Sequence, residues 1–258
     1  MSSIRIVSKW RKTKILERSM PLAAHLPETR QMDAHTMKRM LDRYGLVYAK
    51  PDRGSLGIGV IRIEKKGAIY RIHEASRQVD RHNYSQAYQW IASHKRQGSY
   101  LAQRGIRVIR HAGRPVDFRV MAQRNSEGAW EVSGVLARAA HPRKAVTNGS
   151  QGGSIHEARD ILAAALGERQ AGLLLKQFRK LAMLAAARFD RSSPGMNELG
   201  LDIAVDRQGR SWILEVNTRP DPRPFKLLRD PRVLRRIVRL GKGYGRVYNL
   251  HITKARRG

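Results

Sequence analysis

The sequence predicts an α+β fold in which antiparallel strand pairs alternate with helices. In the stretch 198–220, apolar residues at every second position predict two strands joined by a tight turn at Asp206–Gly209. Similar strand pairs are predicted within 60–73 and 118–139, with helical segments between the pairs. Strands that come in such pairs, with no internal repeat, argue against a parallel doubly wound sheet.

The first half of the chain starts with a basic segment, 1–32, within which the stretch Pro21–Pro27 is predicted to be extended. A helix is predicted over Asp33–Tyr44, because Asp33 is a good N-cap residue and Gly45 is a stop signal. The remaining elements of this half are strands over 46–50, 60–64 and 68–73, a helix over 85–95 and a strand over 100–103.

The second half is predicted to contain two hairpins separated by helices. The first hairpin pairs 118–124 with 130–139, and the second is the stretch 198–220. The intervening segment 141–153, rich in Gly, Asn and Ser, is a predicted loop. Helices are predicted over about 155–166, 169–189 and 231–240.

The second hairpin carries oxygen-bearing side chains on one predicted face. A two-residue loop at Gln208-Gly209 would place Asp202 opposite Glu215. Strict alternation then puts Ile213 and Asn217 on this polar face and Trp212, Leu214 and Val216 on the apolar one. Close oxygen ligands on rigid strands suit Mg²⁺, while an amphipathic hairpin with one solvated face is the alternative.

A phosphate-covering loop is predicted after the strand that ends at Lys50. Glycines at this density leave backbone N–H groups free to approach an anion, and the lysine adds a positive charge. The loop is not a Walker A loop, and its glycine spacing differs from a Rossmann fingerprint. A glycine-rich turn beside a surface lysine is the alternative. The loop residues of interest are Gly54, Ser55, Gly57, Ile58 and Gly59.

The composition of the 258-residue chain favours anionic partners. It has 51 Lys and Arg against 21 Asp and Glu, a formal charge of +30, and such a field attracts polyanions. No sequence motif of a nucleic-acid-binding fold accompanies the charge, so a nucleic-acid partner is the weaker expectation. The chain has no Cys, no signal-peptide pattern and no apolar run that could span a bilayer, which favours the cytoplasm.

Together, Lys50, the glycine loop and the second hairpin, 198–220 (the carboxylate hairpin), could contact both ends of Mg-ATP. With these pieces the sequence resembles the ATP-grasp superfamily. The matching stretches are 48–60 and 202–217; the 13-residue spacing from Asp202 to Glu215 and the Glu-x-Asn ending are similar to D-alanine–D-alanine ligases. The stretch 116–154 resembles the ribosomal-protein glutamate ligases. The YheC/YheD endospore coat-associated proteins are similar through SKW (8–10), HLPETR (25–30), YLAQRGI (100–106), DFRV (117–120), TNGSQGG (147–153) and ELGLDI (198–203).

The resemblance implies two α+β subdomains, 33–106 and 107–225, with antiparallel sheets that clasp a nucleotide. The segment 1–32 would be a truncated region that precedes the first subdomain, and 226–258 would be a basic C-terminal helix and tail. Lys50 and the loop Gly54–Gly59 would contact the ATP phosphates. The resemblance assigns adenine contacts to the hinge Gln103, Arg104, Gly105 and Ile106, Mg²⁺ to Asp202, Glu215 and Asn217, and the reacting phosphate to Arg119, Arg138 and the neighbouring Asn148.

The implied activity is carboxylate–amine or carboxylate–thiol ligation through an acyl phosphate, associated with sporulation and the spore coat. The charge favours an acidic peptide or polymer as the unidentified carboxylate substrate. Alternatives are a non-catalytic coat or surface protein that docks on anionic partners, a polyanion or nucleic-acid binder, and a kinase of small hydroxyl compounds. Arg119 and Arg138 could instead be solvated or pair with Asp117 or Glu131.

Two positions depart from the resemblance. Many ATP-grasp proteins have an Asp-Lys pair before the first grasp strand, and that lysine contacts phosphate, whereas here the pair is Asp33-Ala34. Lys38, one turn later, could substitute from a different direction. The D-alanine ligases have an arginine two residues before the Mg-binding aspartate, whereas this chain has Gly200. These departures make ATP binding better supported than turnover.

Overall fold

The computed structural model describes residues 5–140 and 153–251, together with the backbone of 256–257. Within these residues the chain forms two sheets with helices packed against them, which confirms the predicted α+β class. No helix in this part of the chain combines the length and the hydropathy needed to cross a membrane.

The described helices and strands follow the predicted order with several additions. The helices are α1 (Lys9–Glu17), α2 (Met20–Ala23), α3 (Ala34–Tyr44), α4 (Tyr84–His94), α5 (Ala158–Leu166), α6 (Glu168–Ser192) and α7 (Pro231–Gly243), with a 3-10 helix at Arg223–Leu227. The strands are β1 (Thr29–Gln31), β2 (Leu46–Pro51), β3 (Ile61–Lys66), β4 (Ile69–Glu74), β5 (Arg77–Arg81), β6 (Tyr100–Arg104), β7 (Arg110–His111), β8 (Arg114–Arg124), β9 (Trp130–Ala139), β10 (Ser154–His156), β11 (Glu198–Val205), β12 (Ser211–Asn217) and β13 (Arg256–Arg257).

The smaller sheet has six antiparallel strands in the order β1-β6-β2-β3-β4-β5. Helices α3 and α4 cover it with an apolar stripe that includes Met37, Met40 and Ile91, all fully buried. Helix α3 begins as predicted, because the Asp33 carboxylate accepts a hydrogen bond from the Thr36 N–H at 2.7 Å. These contacts hold β2 and β6 side by side at the centre of the molecule.

The larger sheet runs in the order β12-β11-β8-β9-β10-β13, with β7 paired to β8. Its main core lies between the sheet and α6, where Phe178 of the helix packs against Phe118 of β8 at a ring-centroid distance of 5.1 Å. A smaller apolar cluster on β8, β9 and β10 is covered by the 3-10 helix and α7 through Phe225 and Ile237. The sheet is therefore buried on both faces, which fixes the strands that carry its polar residues.

The carboxylate hairpin, β11–β12, has the predicted pairing of Asp202 with Glu215, but its turn and its register differ from the prediction. The turn uses three residues, 207–209, rather than two, so that Val205 pairs with Ser211. A bulge then shifts the register by one residue and restores the predicted pairing of Asp202 with Glu215. Because one residue of shift exchanges the two faces, Ile213 joins the main core, whereas Trp212, which pairs with Ala204, and Leu214 do not. The predicted facing of these three residues is wrong.

The N-terminal segment contains two helices, and the extended backbone predicted for 21–27 is wrong at 21–23, which belong to α2. Ser8 caps α1 by accepting a hydrogen bond from the Arg11 N–H at 3.1 Å, and Ile15 and Leu16 are buried against the larger sheet. Pro21 lies in the first turn of α2, where its missing N–H costs no hydrogen bond. The segment is therefore an integral part of the fold.

Candidate active site

A cavity of about 440 Å³ lies between the two sheets. Its lining comes from β2 and β6 of the smaller sheet, from β8, β9, β11 and β12 of the larger sheet, from the glycine loop and from the segment 5–12. Cavities of this volume typically hold small molecules. Most residues that the sequence singled out line this one cavity.

Asp202 is the buried centre of the polar face. It lies opposite Glu215 on β12 and opposite Arg119 on β8, so three adjacent strands present these side chains together. The Arg119 guanidinium donates from Nε to Asp202 Oδ1 at 2.5 Å and from Nη2 to Oδ2 at 3.2 Å. The side chain of Asp202 is only 8% exposed, so the arginine supplies the compensation that a buried carboxylate requires.

Arg138 forms a second guanidinium contact beside the first. It donates to both carboxylate oxygens of Asp117 at 2.7 Å, and its Nη2 lies 3.1 Å from Asp202 Oδ1. Asp117 is therefore the partner that the sequence left open, whereas Glu131 contacts Arg236. Burial disfavours the ionised form of Asp202, but Arg119 and Arg138 outweigh this effect and hold its pKa below the ordinary value.

The donors present fit a hard divalent cation. Asp202, Glu215 and Asn217 all line the cavity, and the Asn217 amide nitrogen lies 3.4 Å from Asp202 Oδ2. The described residues contain no group of three His, Cys, Asp or Glu side chains arranged to hold a metal. Mg²⁺ typically binds one or two carboxylates and completes its shell with phosphate and water oxygens, so two carboxylates and an amide oxygen are sufficient.

Lys50 lies across the cavity on β2. Its ammonium group donates to Gln103 Oε1 at 2.5 Å, and Gln103 Nε2 in turn donates to Thr29 Oγ1 at 3.1 Å. Burial, partly offset by the charge of Glu215, lowers the pKa of Lys50 to about 8. A desolvated ammonium held in place by an amide is well suited to contact an incoming anion.

The glycine loop covers part of the cavity. Gly54, Ser55, Gly57 and Ile58 line it, and Gly54 and Gly57 have φ angles of 119° and 70°, which favour glycine. Gly59 was expected to contact phosphate with the rest of the loop, but it does not line the cavity. Its carbonyl accepts a hydrogen bond from the Tyr100 hydroxyl at 3.1 Å, so it anchors the end of the loop to β6.

Three of the four hinge residues line the cavity, and the fourth, Gly105, packs against β2. Arg104 and Ile106 line the cavity, and the Arg104 guanidinium lies over the rings of Tyr44 and Trp212 at 4.9 and 4.8 Å. Gly105 does not line it. An added Cβ at position 105 would lie 2.3 Å from Leu46 Cγ, so close packing against β2 accounts for this glycine. Asn148, expected beside the arginines, lies outside the described residues.

Comparison with known proteins gives this arrangement a family. A family model described as YheC/D like ATP-grasp matches residues 2–247. The chain belongs to this family. It is 26% identical to the endospore coat-associated protein YheD of Bacillus subtilis over 220 residues, which are 83% of this chain and 48% of that protein. It is also 26% identical to YheC of the same organism over 217 residues, 82% of this chain and 59% of that one, so it spans about half the length of these relatives.

A solved structure supports the ATP-grasp fold. N5-carboxyaminoimidazole synthase from Aspergillus clavatus, in complex with ADP and 5-aminoimidazole ribonucleotide, matches with a TM-score of 0.53 at 9% identity. The match covers 84% of this chain and 45% of that one. The likeness shows a shared fold, and it confirms the fold that the sequence predicted.

The structure accounts for the departure at Gly200 and excludes Lys38 as a substitute at the other position. Gly200 has no room for a side chain, because an added Cβ would lie 2.7 Å from Pro220 Cβ and 3.2 Å from Arg119 Cδ. Arg119 on the neighbouring strand therefore occupies the space beside Asp202. Lys38 does not substitute for a lysine at position 34, because it is exposed and its ammonium pairs with Asp42 at 2.8 Å.

The structure adds two lysines that sequence reasoning missed. Lys9 Nζ donates to the Gly54 carbonyl at 2.9 Å, and Lys12 Nζ lies 3.3 Å from Glu215 Oε1. The two side chains project three residues apart from one face of α1 into the cavity. Lys9 belongs to the SKW motif, but no helix is predicted over this segment from the sequence.

The cavity lining has a strong positive surplus. Among the described lining residues, nine are Lys or Arg and four are Asp or Glu, so the surplus is five. The acidic residues are Asp117, Asp202, Glu215 and Asp221. The cationic residues are Arg5, Lys9, Lys12, Lys50, Arg104, Arg119, Arg138, Arg219 and Arg223. Such a lining favours anionic ligands.

Proposed function

We propose that the chain binds Mg-ATP in this cleft and uses it to activate a carboxylate for ligation to an amine or thiol. One observation carries the proposal: Lys50 and the glycine loop on one sheet, and Asp202, Glu215 and Asn217 on the other, line the same cavity. Membership of the YheC/D-like ATP-grasp family supports it.

Each group has a role that follows from its chemistry. Lys50 and the N–H groups of Gly54 and Gly57 contact the phosphates, since they present positive charge and free donors. The hinge at Arg104 and Ile106 contacts the base. Mg²⁺ held by the two carboxylates and Asn217 would neutralise phosphate charge when bound.

Arg119 and Arg138 stabilise the charge that develops as the phosphoryl group moves. A carboxylate oxygen of the substrate attacks the γ-phosphorus, the bond to the β–γ bridging oxygen breaks, and ADP leaves. An amine or thiol then attacks the carbonyl carbon of the acyl phosphate, phosphate leaves, and the nucleophile loses a proton. Such transfer depends mainly on positioning and charge stabilisation, which a fixed pair of buried arginines supplies.

We infer the biological setting from the relatives. YheC and YheD are named endospore coat-associated proteins, and their likeness supports a link to the spore coat for this chain. We infer action in the cytoplasm or at the coat, on an acidic substrate.

Calorimetric titration with a non-hydrolysable ATP analogue and Mg²⁺ tests nucleotide binding. We expect saturable binding that is weakened more than tenfold in Lys50→Ala, because loss of a charge-assisted hydrogen bond costs about 1.5–3 kcal/mol. Lys176→Ala removes the same charge from an exposed site on α6 and should bind normally. Equal loss in both variants would refute a specific phosphate site.

Turnover needs its own measurement. ADP release should rise on addition of an acidic peptide and an amine, and Glu215→Gln should abolish it without unfolding the protein. Saturable nucleotide binding without any ADP release over a broad panel would favour the non-catalytic alternative, in which the fold serves as a docking protein.

A further inference from the structure

The cavity has two distinguishable ends, and β12 runs between them. At one end the Leu214 carbonyl accepts a 3.4 Å hydrogen bond from Gln103 Nε2 of the hinge. Glu215 and Asn217 follow along the strand, and three residues of strand span about 10 Å. If the base lies at the hinge and the phosphates lie at these two side chains, the space beyond Asn217 remains for another ligand.

The segment 5–7 closes that far end. The Thr218 hydroxyl, just beyond β12, accepts a hydrogen bond from the Ile6 N–H at 3.1 Å and lies 3.3 Å from the Ile6 carbonyl. Arg5 and Val7 flank Ile6 in the chain, Arg219 follows Thr218, and all three line the cavity. Lys9, the first residue of α1, donates to the Gly54 carbonyl of the glycine loop.

The far end carries positive charge that the protein does not neutralise. Arg5 and Arg219 are exposed, and within the described part of the chain neither pairs with an acidic side chain. A triphosphate brings about four negative charges and Mg²⁺ removes two of them, so a bound nucleotide would reduce the surplus of five only to about three. A second anion with more than one charge would offset the remainder.

Apolar side chains line the cavity as well. Val7, Leu56 and Ile58 are 44%, 51% and 48% exposed, and all three line this one cavity, which is more informative than isolated exposed side chains. A purely inorganic polyanion would leave these groups in contact with water. An organic polyacid, whose charges are separated by methylene groups, would cover them.

We propose that the end of the cavity bounded by Arg5, Lys9 and Arg219 binds the second substrate, and that this substrate carries several carboxylates joined by short aliphatic spacers. The inference rests on the proposed function, since it assigns the acceptor of the phosphoryl group. Arg5 and Arg219 bind the carboxylates that do not react. The reacting carboxylate lies toward Asn217.

A ladder of glutamate oligomers tests the assignment. L-Glutamate, its dimer, trimer and pentamer are titrated in 150 mM salt against protein loaded with Mg²⁺ and a non-hydrolysable ATP analogue. We expect affinity to rise about tenfold or more from glutamate to the trimer, as additional charged contacts form, and then to level off once the cavity is filled. Equal affinity for all members would overturn the proposal.

Variants locate the binding. Arg219→Ala and Arg5→Ala should each weaken trimer binding about five- to tenfold and leave nucleotide affinity within twofold, because they lie beyond the phosphates. Arg235→Ala removes an exposed arginine from α7, outside the cavity, and should change neither. A loss in Arg235→Ala as large as that in Arg219→Ala would mean non-specific attraction to the charged surface and would overturn the assignment.

Two further results separate this proposal from others. Tripolyphosphate or a short single-stranded oligonucleotide that binds more tightly than the glutamate trimer, with the same dependence on Arg219, would replace the carboxylate assignment. Trimer binding that needs Arg219 in a protein that binds no nucleotide would uphold the site while refuting the proposed ATP chemistry.

Discussion

Asp202 and Glu215 lie opposite each other on one strand pair, but we expect their neutral amide variants to differ in stability. The Asp202 side chain is 8% exposed and accepts from Arg119 at 2.5 and 3.2 Å, with Arg138 at 3.1 Å. The Glu215 side chain is 27% exposed and has one described ionic contact, to Lys12 at 3.3 Å. Asp202 is therefore part of a buried network with two arginines, whereas Glu215 is partly exposed and has a single described ion pair.

Removing one partner of a buried ion pair typically costs about 3–5 kcal/mol, because the remaining charge stays desolvated. Asp202→Asn would leave Arg119 without a carboxylate while Arg138 keeps Asp117. For a protein of this size 1 kcal/mol corresponds to about 2–4 °C, so the Tm should fall by about 6–20 °C. Glu215→Gln should cost less, about 1–2 kcal/mol, because Glu215 is partly exposed and the glutamine carbonyl can still accept a hydrogen bond from the ammonium of Lys12, which is itself only 8% exposed.

Thermal melts and urea unfolding of both variants, in nucleotide-free protein, measure the difference. Glu127→Gln, in the exposed turn between β8 and β9, is the control for loss of one negative charge. Both cleft variants should lose Mg-nucleotide binding, whereas only Asp202→Asn should be markedly less stable. Similar Tm values for the two cleft variants would refute the claim that the arginines depend on Asp202.

Three further predictions concern packing, protonation and metal. Gly105→Ala should lower the free energy of unfolding in urea by about 1–3 kcal/mol through overpacking. Gly172→Ala, in an open helical position, should raise it by about 0.5–1 kcal/mol. Shifts of the same sign would contradict the described packing. Nucleotide affinity should be constant below pH 7 and fall above about pH 8, because Lys50 then loses its proton. In a calorimetric pH profile, Lys50→Arg should remove this fall, since arginine stays charged. A profile unchanged in that variant would exclude Lys50 as the titrating group. EDTA should leave the Tm of the nucleotide-free protein unchanged, because Asp202 and Glu215 already have cationic partners, and a clear drop would mean that a resident metal supports the fold.

Much of the fold was accessible from local patterns in the sequence. Alternation predicted the strand pairs, and the Asp33 cap with the Gly45 stop predicted α3, because these signals depend on neighbours in the chain. The pairing of Asp202 with Glu215 was also correct, although the turn was one residue longer than predicted. The subdomain boundaries and the roles of the site residues stay predictions.

The missed features depend on contacts between distant residues. The helix α1 has weak amphipathic character and is basic, and it forms where Asp52 accepts from the Ser8 hydroxyl and the Trp10 N–H. Its lysines enter the cavity only because of that docking. Similarly, the need for glycine at 105 arises from Leu46, almost 60 residues earlier, and no local signal marks it.

Leu214, the unpaired residue at the bulge in β12, separates the turn of the carboxylate hairpin from the end that carries the acidic side chains. It lies between the turn and the acidic side chains, so the end of the hairpin at the turn and the end that carries Glu215 and Asn217 follow different registers. Because Asp206 and Arg210 close the turn and Leu214 is the unpaired residue, the turn or the bulge could each lose one residue with Asp202 still opposite Glu215. Loop length and ligand geometry can in this way vary independently during evolution or engineering.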